Sequence, residues 1–163
     1  MSRQVRKFFT YEDPIVPMQG PRTLIEIAAG QGADREALLE HTGITLDMLE
    51  SPDARISLRQ HYFLNENALR LTGNPALGLD VGMSFNASRL GILGLVSLAS
   101  PDVRTALDFG LKYYRAWVPF WELTMKVEGD VAWIIAREAI PLQPHRVFAT
   151  EILLSSYLAL ARS

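Results

Sequence analysis

The stretch Leu90–Tyr114, LGILGLVSLASPDVRTALDFGLKYY, constrains the fold of this chain more than any other. Leu90 to Ala99 contains no charged side chain. A helix that is apolar on every side has to be surrounded by protein or lipid, and this one is far shorter than the roughly 20 residues that cross a bilayer. Ser100-Pro101 then interrupts the run. Val103, Ala106, Leu107, Gly110, Leu111, Tyr114 and Trp117 follow at the spacing of one helical face. The expectation is a buried central helix over Leu90–Ala99 with an amphipathic helix over Pro101–Trp117 packed beside it. Ser100 is placed to cap the second helix, Pro101 to occupy its first position and Asp102 to complement its dipole. Gly91 and Gly94 leave one side of the first helix bare, open to another backbone.

Such a pair needs a core around it. With 163 residues, 48% of them hydrophobic, the chain can supply one domain with a real interior. The net charge of -2 gives no basic field to attract nucleic acid or anionic lipid. The absence of cysteine excludes disulfides and thiol chemistry and removes the usual ligands of structural zinc. The N-terminus has basic residues but no apolar segment like that of a secretion signal, and no run is long enough to span a membrane. The cytoplasm is the expected location, with no membrane partner and no cofactor.

Along the chain, residues 1–20 read as an N-terminal arm or short edge strand, with Arg3, Arg6 and Lys7 among aromatic residues and prolines. Residues 21–163 read as one domain. Pro21 opens a first helix ended by Gly30 and Gly32, Asp34 caps a second stopped by Gly43, and Thr45 caps a third short turn ended by Pro52. Three short helices with a glycine turn suggest a helix-turn-helix, but Pro21 to Glu50 holds six acids against two bases, and phosphates would repel that face. Ser57 caps a long helix from Leu58 to about Thr72, stopped by Gly73-Asn74-Pro75. His61 shares its apolar face with Leu64, Ala68 and Leu71, as a half-buried core residue, a ligand group or a pH sensor.

Glu122–Glu138 alternates as a β-hairpin about Gly129-Asp130, which sets Val131 opposite Glu128, Trp133 opposite Lys126, Ile135 opposite Thr124 and Arg137 opposite Glu122. The other face, Leu123, Met125 and Val127 with Ala136, Ile134 and Ala132, is expected to point inward. His145–Ser163 reads as a last helix without a stop signal, the mark of a fragment.

No dinucleotide fingerprint, Walker lysine, nucleophile elbow or metal-spaced histidine pair is present. No catalytic residue and no metal ligand is therefore assigned, and an enzyme is not expected. A small enzyme would need Arg89, Arg137 and His145 to converge beside Trp133. The sequence does offer aromatic residues around the junction of helix and hairpin, which suit either a core or a pocket with polar groups among them. The candidate ligand-binding set is Arg89, Tyr113, Trp117, Trp121, Trp133 and Arg137. Arginine among aromatics favours a carboxylate or an amino acid as ligand, because its fork binds carboxylates bidentately.

The runs DARISLRQHYFLNENALRLTGNPALGLDVG and LGILGLVSLASPDVRTALDFGLKYYRAWVP, in that order, resemble the N-terminal effector domain of AraC/XylS-type bacterial transcriptional regulators, in the subgroup called arabinose-binding-like. The similarity extends from about Pro21 to Ala161. It implies a domain that senses a small-molecule effector and helps to form a homodimer. DNA would be bound by a separate C-terminal domain with two helix-turn-helix units, which is outside this chain, as is the end of the sensor domain. No short motif of the family marks effector contacts, so no site residue follows from the resemblance. The expected fold is α+β: a mostly helical domain with a buried central helix pair and an antiparallel hairpin. The rival function is a dimerisation module that needs no ligand.

Overall fold

The computed structural model describes residues 10–86 and 92–162, apart from the side chains of residues 92, 93, 116 and 117. The fold is α+β. In chain order it comprises β1 (Val16–Pro17), α1 (Gln19–Gly30), α2 (Arg35–Leu39), α3 (Leu46–Glu50), β2 (Arg55–Ile56), α4 (Leu58–Thr72), α5 (Leu77–Met83), α6 (Ile92–Leu98), α7 (Val103–Trp117), β3 (Trp121–Glu128), β4 (Val131–Glu138) and α8 (Arg146–Ala161). Two small antiparallel sheets, β1–β2 and β3–β4, accompany the helices. The N-terminal arm thus contributes an edge strand, paired with β2, for which the short run Arg55-Ile56 carried no periodic signal.

The local signals are realised as hydrogen bonds. Asp34 accepts from the Ala37 N–H at 2.9 Å, and Thr45 from the Met48 N–H at 3.3 Å. Ser57 accepts from the Gln60 N–H while Gln60 Oε1 accepts from the Ser57 N–H, a complete capping box. Gly73 ends α4 in the left-handed conformation at φ 61°. Helix α4 also closes its neighbours: Asn67 donates to the carbonyls of Leu38 and Glu40 at the end of α2, and Gln60 donates to Gly43. Arg22 of α1 does the same for α3, donating to Leu49 and Ser51 carbonyls. These contacts satisfy carbonyls that short helices otherwise leave to solvent.

The main core gathers Met18, Leu24, Ile25, Leu38, Ile56, Leu64, Ala68, Leu77 and Phe148. The most extensive helix–helix contact joins α5 and α8. It depends on Gly78 and Gly82, one turn apart on α5. A Cβ at Gly78 would lie 2.6 Å from Glu151 Oε2 and 2.8 Å from the Phe148 carbonyl oxygen. One at Gly82 would lie 2.5 Å from the Ile152 carbonyl oxygen and would overlap Ser155 Oγ. The close backbone approach expected at Gly91 and Gly94 therefore has its counterpart at Gly78 and Gly82, while Gly91 is outside the described residues.

The helix pair α6–α7 forms as expected, and its two helices pack together. It is not central. Leu95 and Leu98 are 65% and 64% exposed and Val103 is 75% exposed, which corrects the expectation of a buried pair. All-round apolarity shows that a helix needs cover, not where that cover comes from. The cap of α7 also moves: Ser100 Oγ turns back to donate to the Val96 carbonyl at 2.8 Å, and Asp102 accepts from the Thr105 N–H at 2.7 Å.

The hairpin register agrees at every expected pair, Glu128 with Val131, Lys126 with Trp133, Thr124 with Ile135 and Glu122 with Arg137. Its inward face is covered only at one end, however. Trp121 and Leu123 are buried with Leu142 and Leu153 in a second cluster, while Val127, Ile134 and all of β4 are exposed. Alternation assigns side chains to faces, but burial requires a layer against the face.

Gly82→Ala should destabilise the chain by about 1–3 kcal/mol through overpacking against α8. Gly110→Ala on α7, where an added Cβ meets nothing within 4 Å, should stabilise it by about 0.5–1 kcal/mol. Urea denaturation of the two variants checks both signs.

Candidate functional site

Among the described residues, the buried side-chain atoms without a hydrogen bond belong to His61 and Asn65 of α4, to His145 and to Glu151 of α8. The start of this helix is tied down, because the Arg59 N–H donates to the Tyr11 carbonyl at 3.1 Å and the His61 N–H to that of Ser57. His61 and Asn65 are then one turn apart and share a face. The His61 ring stacks on Phe120 with centroids 4.9 Å apart. Its Nδ1 is out of contact with solvent and has no hydrogen bond among the described residues, and neither does Oδ1 of the buried Asn65.

Facing α4 is His145, the residue that precedes α8. It is 7% exposed. Its Nε2 is also buried without a hydrogen bond and lies 3.8 Å from Glu66 Oε1. Tyr62 lies between the two elements. Its hydroxyl donates to the Pro141 carbonyl at 2.6 Å, and its ring is 5.3 Å from His145 and 5.9 Å, edge-on, from Tyr11.

Burial, reinforced by the nearby His145, pushes the pKa of His61 down from 6.5 to about 3. Burial also lowers that of His145, and Glu66 acts in the opposite direction. Both rings are neutral at pH 7, so Glu66 and His145 do not form an ion pair. The Tyr62 hydroxyl is pushed up to about 12, mainly by burial.

Two cavities flank this stretch. An open cleft of about 310 Å3 is lined by Tyr11, Arg59, Tyr62, Phe63 and Glu66. A smaller space of about 60 Å3 reaches His61 between Pro17, Pro21, Phe85 and Phe120. The first is within the size range of small-molecule sites, and the second holds only a few waters.

The residues proposed from the sequence are distributed differently. Trp121 is buried in the second cluster beside Tyr114 and Tyr157, where burial raises both phenols, Tyr157 to about 12. Trp133, 55% exposed, and Arg137 share the opposite face of the hairpin from Trp121. Tyr113 is exposed on α7 beside Phe109, with Lys112 Nζ 5.4 Å from its ring centre. Arg89 and the Trp117 side chain are outside the described residues. Neither cavity is lined by a described member of the set. His145 meets Tyr62 and Glu66 rather than Trp133.

Arg59, Asn65 and Glu66 carried no motif of their own. The available signal is helical spacing: Asn65 is four residues from His61, and Arg59, Tyr62, Phe63 and Glu66 fall at i, i+3, i+4 and i+7 on one face. No group of three metal-ligating side chains occurs among the described residues, and no described helix is long and apolar enough to cross a membrane.

Residues 32–163 match the family described as the arabinose-binding domain of AraC transcription regulators, N-terminal. The chain belongs to that family. It is 35% identical over 153 residues to the ornithine utilization regulator of Pseudomonas aeruginosa, covering 94% of this chain and 44% of the relative. It is 24% identical over 115 residues to uncharacterised HTH-type transcriptional regulators of Mycobacterium tuberculosis and Mycobacterium bovis, covering 70% of this chain and 33% of each relative. This AraC-type domain thus spans less than half the length of the curated relatives it matches.

Because the unfolded chain protonates His61 near pH 6.5 and the folded chain only near 3, its contribution to stability is complete above pH 6.5 and is lost as pH falls. The slope attributable to His61 is at most one proton, about 1.4 kcal/mol per pH unit. Urea midpoints measured from pH 7 to pH 5 should therefore fall less steeply for His61→Leu than for the parent chain.

Proposed function

We propose that this domain is the small-molecule-sensing and dimerisation part of an AraC-type regulator, acting in the cytoplasm on transcription rather than as a catalyst. Effector binding would shift the population between two arrangements and so alter DNA binding by a C-terminal helix-turn-helix domain beyond residues 21–163. The observation that carries the reading is the family match across residues 32–163, together with relatives that are themselves transcriptional regulators. An amino acid is the proposed effector class. The relative from Pseudomonas aeruginosa is named for ornithine utilization, which makes ornithine the first compound to test.

For the position of the effector, the helix–hairpin set Arg89, Tyr113, Trp117, Trp121, Trp133 and Arg137 stands as one proposal and the α4 cleft as another. Geometry favours the cleft, because the hairpin register divides Trp121 from Trp133 and Arg137. A dimerisation module without ligand is the second reading. It is favoured by the exposed Leu95, Leu98 and Val103 and by the uncovered β4. Sedimentation measures that association directly.

A thermal-shift panel of ornithine, other amino acids, small carboxylates and aromatic metabolites separates the two readings. A true effector at about 100 times its Kd should stabilise the domain by about 2.7 kcal/mol, a rise of roughly 5–10 °C in Tm. A self-associating chain that no compound stabilises would leave only the dimerisation module.

A further inference from the structure

The α4 cleft has opposite charges at its two ends. Arg59 and Glu66 are seven residues apart on α4, two helical turns, so their backbone positions differ by about 10 Å along the axis. Both side chains line the cleft, and Tyr11, Tyr62 and Phe63 form the apolar surface between them. At the arginine end, Glu12 engages the Nε side of the guanidinium at 2.5 Å. The opposite edge presents the terminal nitrogens as a fork, a geometry that suits a second carboxylate. At the other end the carboxylate is Glu66, and His145, whose Nε2 is 3.8 Å from Glu66 Oε1, is buried outside the lining of the cleft. A carboxylate beside an aromatic ring suits an ammonium group, which donates to Glu66 and is attracted to the face of Tyr62.

We infer that this cleft binds a small molecule with a carboxylate at one end and a primary ammonium at the other, the carboxylate on Arg59 and the ammonium on Glu66 beside Tyr62. The inference rests on the sensor reading and narrows its ligand class. A simple α-amino acid carries both charges on one carbon and cannot reach both ends. The ligand therefore carries its amine several bonds from the carboxylate, as the basic amino acids and ω-amino acids do. Its methylene chain covers Phe63 and Tyr62, which supplies the apolar part of the affinity.

Calorimetric titration of the 163-residue chain with four probes tests the assignment. L-Lysine and 6-aminohexanoate should bind, whereas norleucine, which lacks the distal amine, and 1,5-diaminopentane, which lacks the carboxylate, should not. Arg59→Ala and Glu66→Gln should each weaken lysine binding tenfold or more, the effect of removing a charged hydrogen bond. Arg104→Ala and Asp108→Asn on α7 make the same kinds of charge change at an exposed surface and should leave binding unchanged. Circular dichroism confirms that each variant is folded. Binding of norleucine or the diamine as tight as that of lysine overturns the assignment, as does undiminished binding by Arg59→Ala and Glu66→Gln. If another compound class stabilises the domain and does so equally in those two variants, the sensor reading stands and this site falls. If neither these probes nor the wider panel binds, both fall together.

Discussion

The close approach of α5 and α8 is the contact on which the rest of the arrangement depends. Gly78 and Gly82 allow α8 to lie almost against the α5 backbone. Once there, α8 inserts Phe148 into the main core and Leu153 into the second cluster, with Tyr157 packed beside it. Phe120 and Ile140 contact both clusters as well. A last helix distant in sequence thus joins the helical half to the hairpin half. The same placement brings His145, at the start of α8, against Tyr62 and Glu66 of α4. The contact between His145 and α4 therefore depends on two glycines that lack side chains.

Helix α4 has a double role, and its two faces differ in how their polar groups are satisfied. Ser57, Gln60 and Asn67 spend their hydrogen bonds on helix ends and neighbouring carbonyls, so the framework side is closed. His61, Asn65 and, across the gap, His145 keep buried atoms without partners. Burying such a group typically costs about 1–3 kcal/mol. The framework carries that cost at these three residues and at Glu151 of α8, and bound water or another molecule would relieve it.

The opposite half of the molecule is unfinished in a different way. Helices α6 and α7 and the strand β4 expose leucine, valine, isoleucine and tryptophan side chains to solvent. A two-stranded sheet with one uncovered strand is marginal in water. In a family whose curated relatives are more than twice as long as the matched segment, this surface is consistent with further polypeptide or a second protomer against it.

The elements that depend on short-range rules were legible in the residues themselves. The caps at Asp34, Thr45 and Ser57, the left-handed stop at Gly73 and the whole hairpin register follow from hydrogen bonds between residues a few positions apart, and each is found as expected. The family likeness was legible too, because it is carried by continuous runs. What only the tertiary structure decided was burial and convergence. Leu95 and Leu98 are exposed although their helix has no polar side, and His145 meets Glu66 although nearly eighty residues lie between them. A side chain's periodicity states which face it occupies. What lies against that face is set by packing between distant segments, here by the absence of two Cβ atoms on α5, and no local pattern encodes that contact.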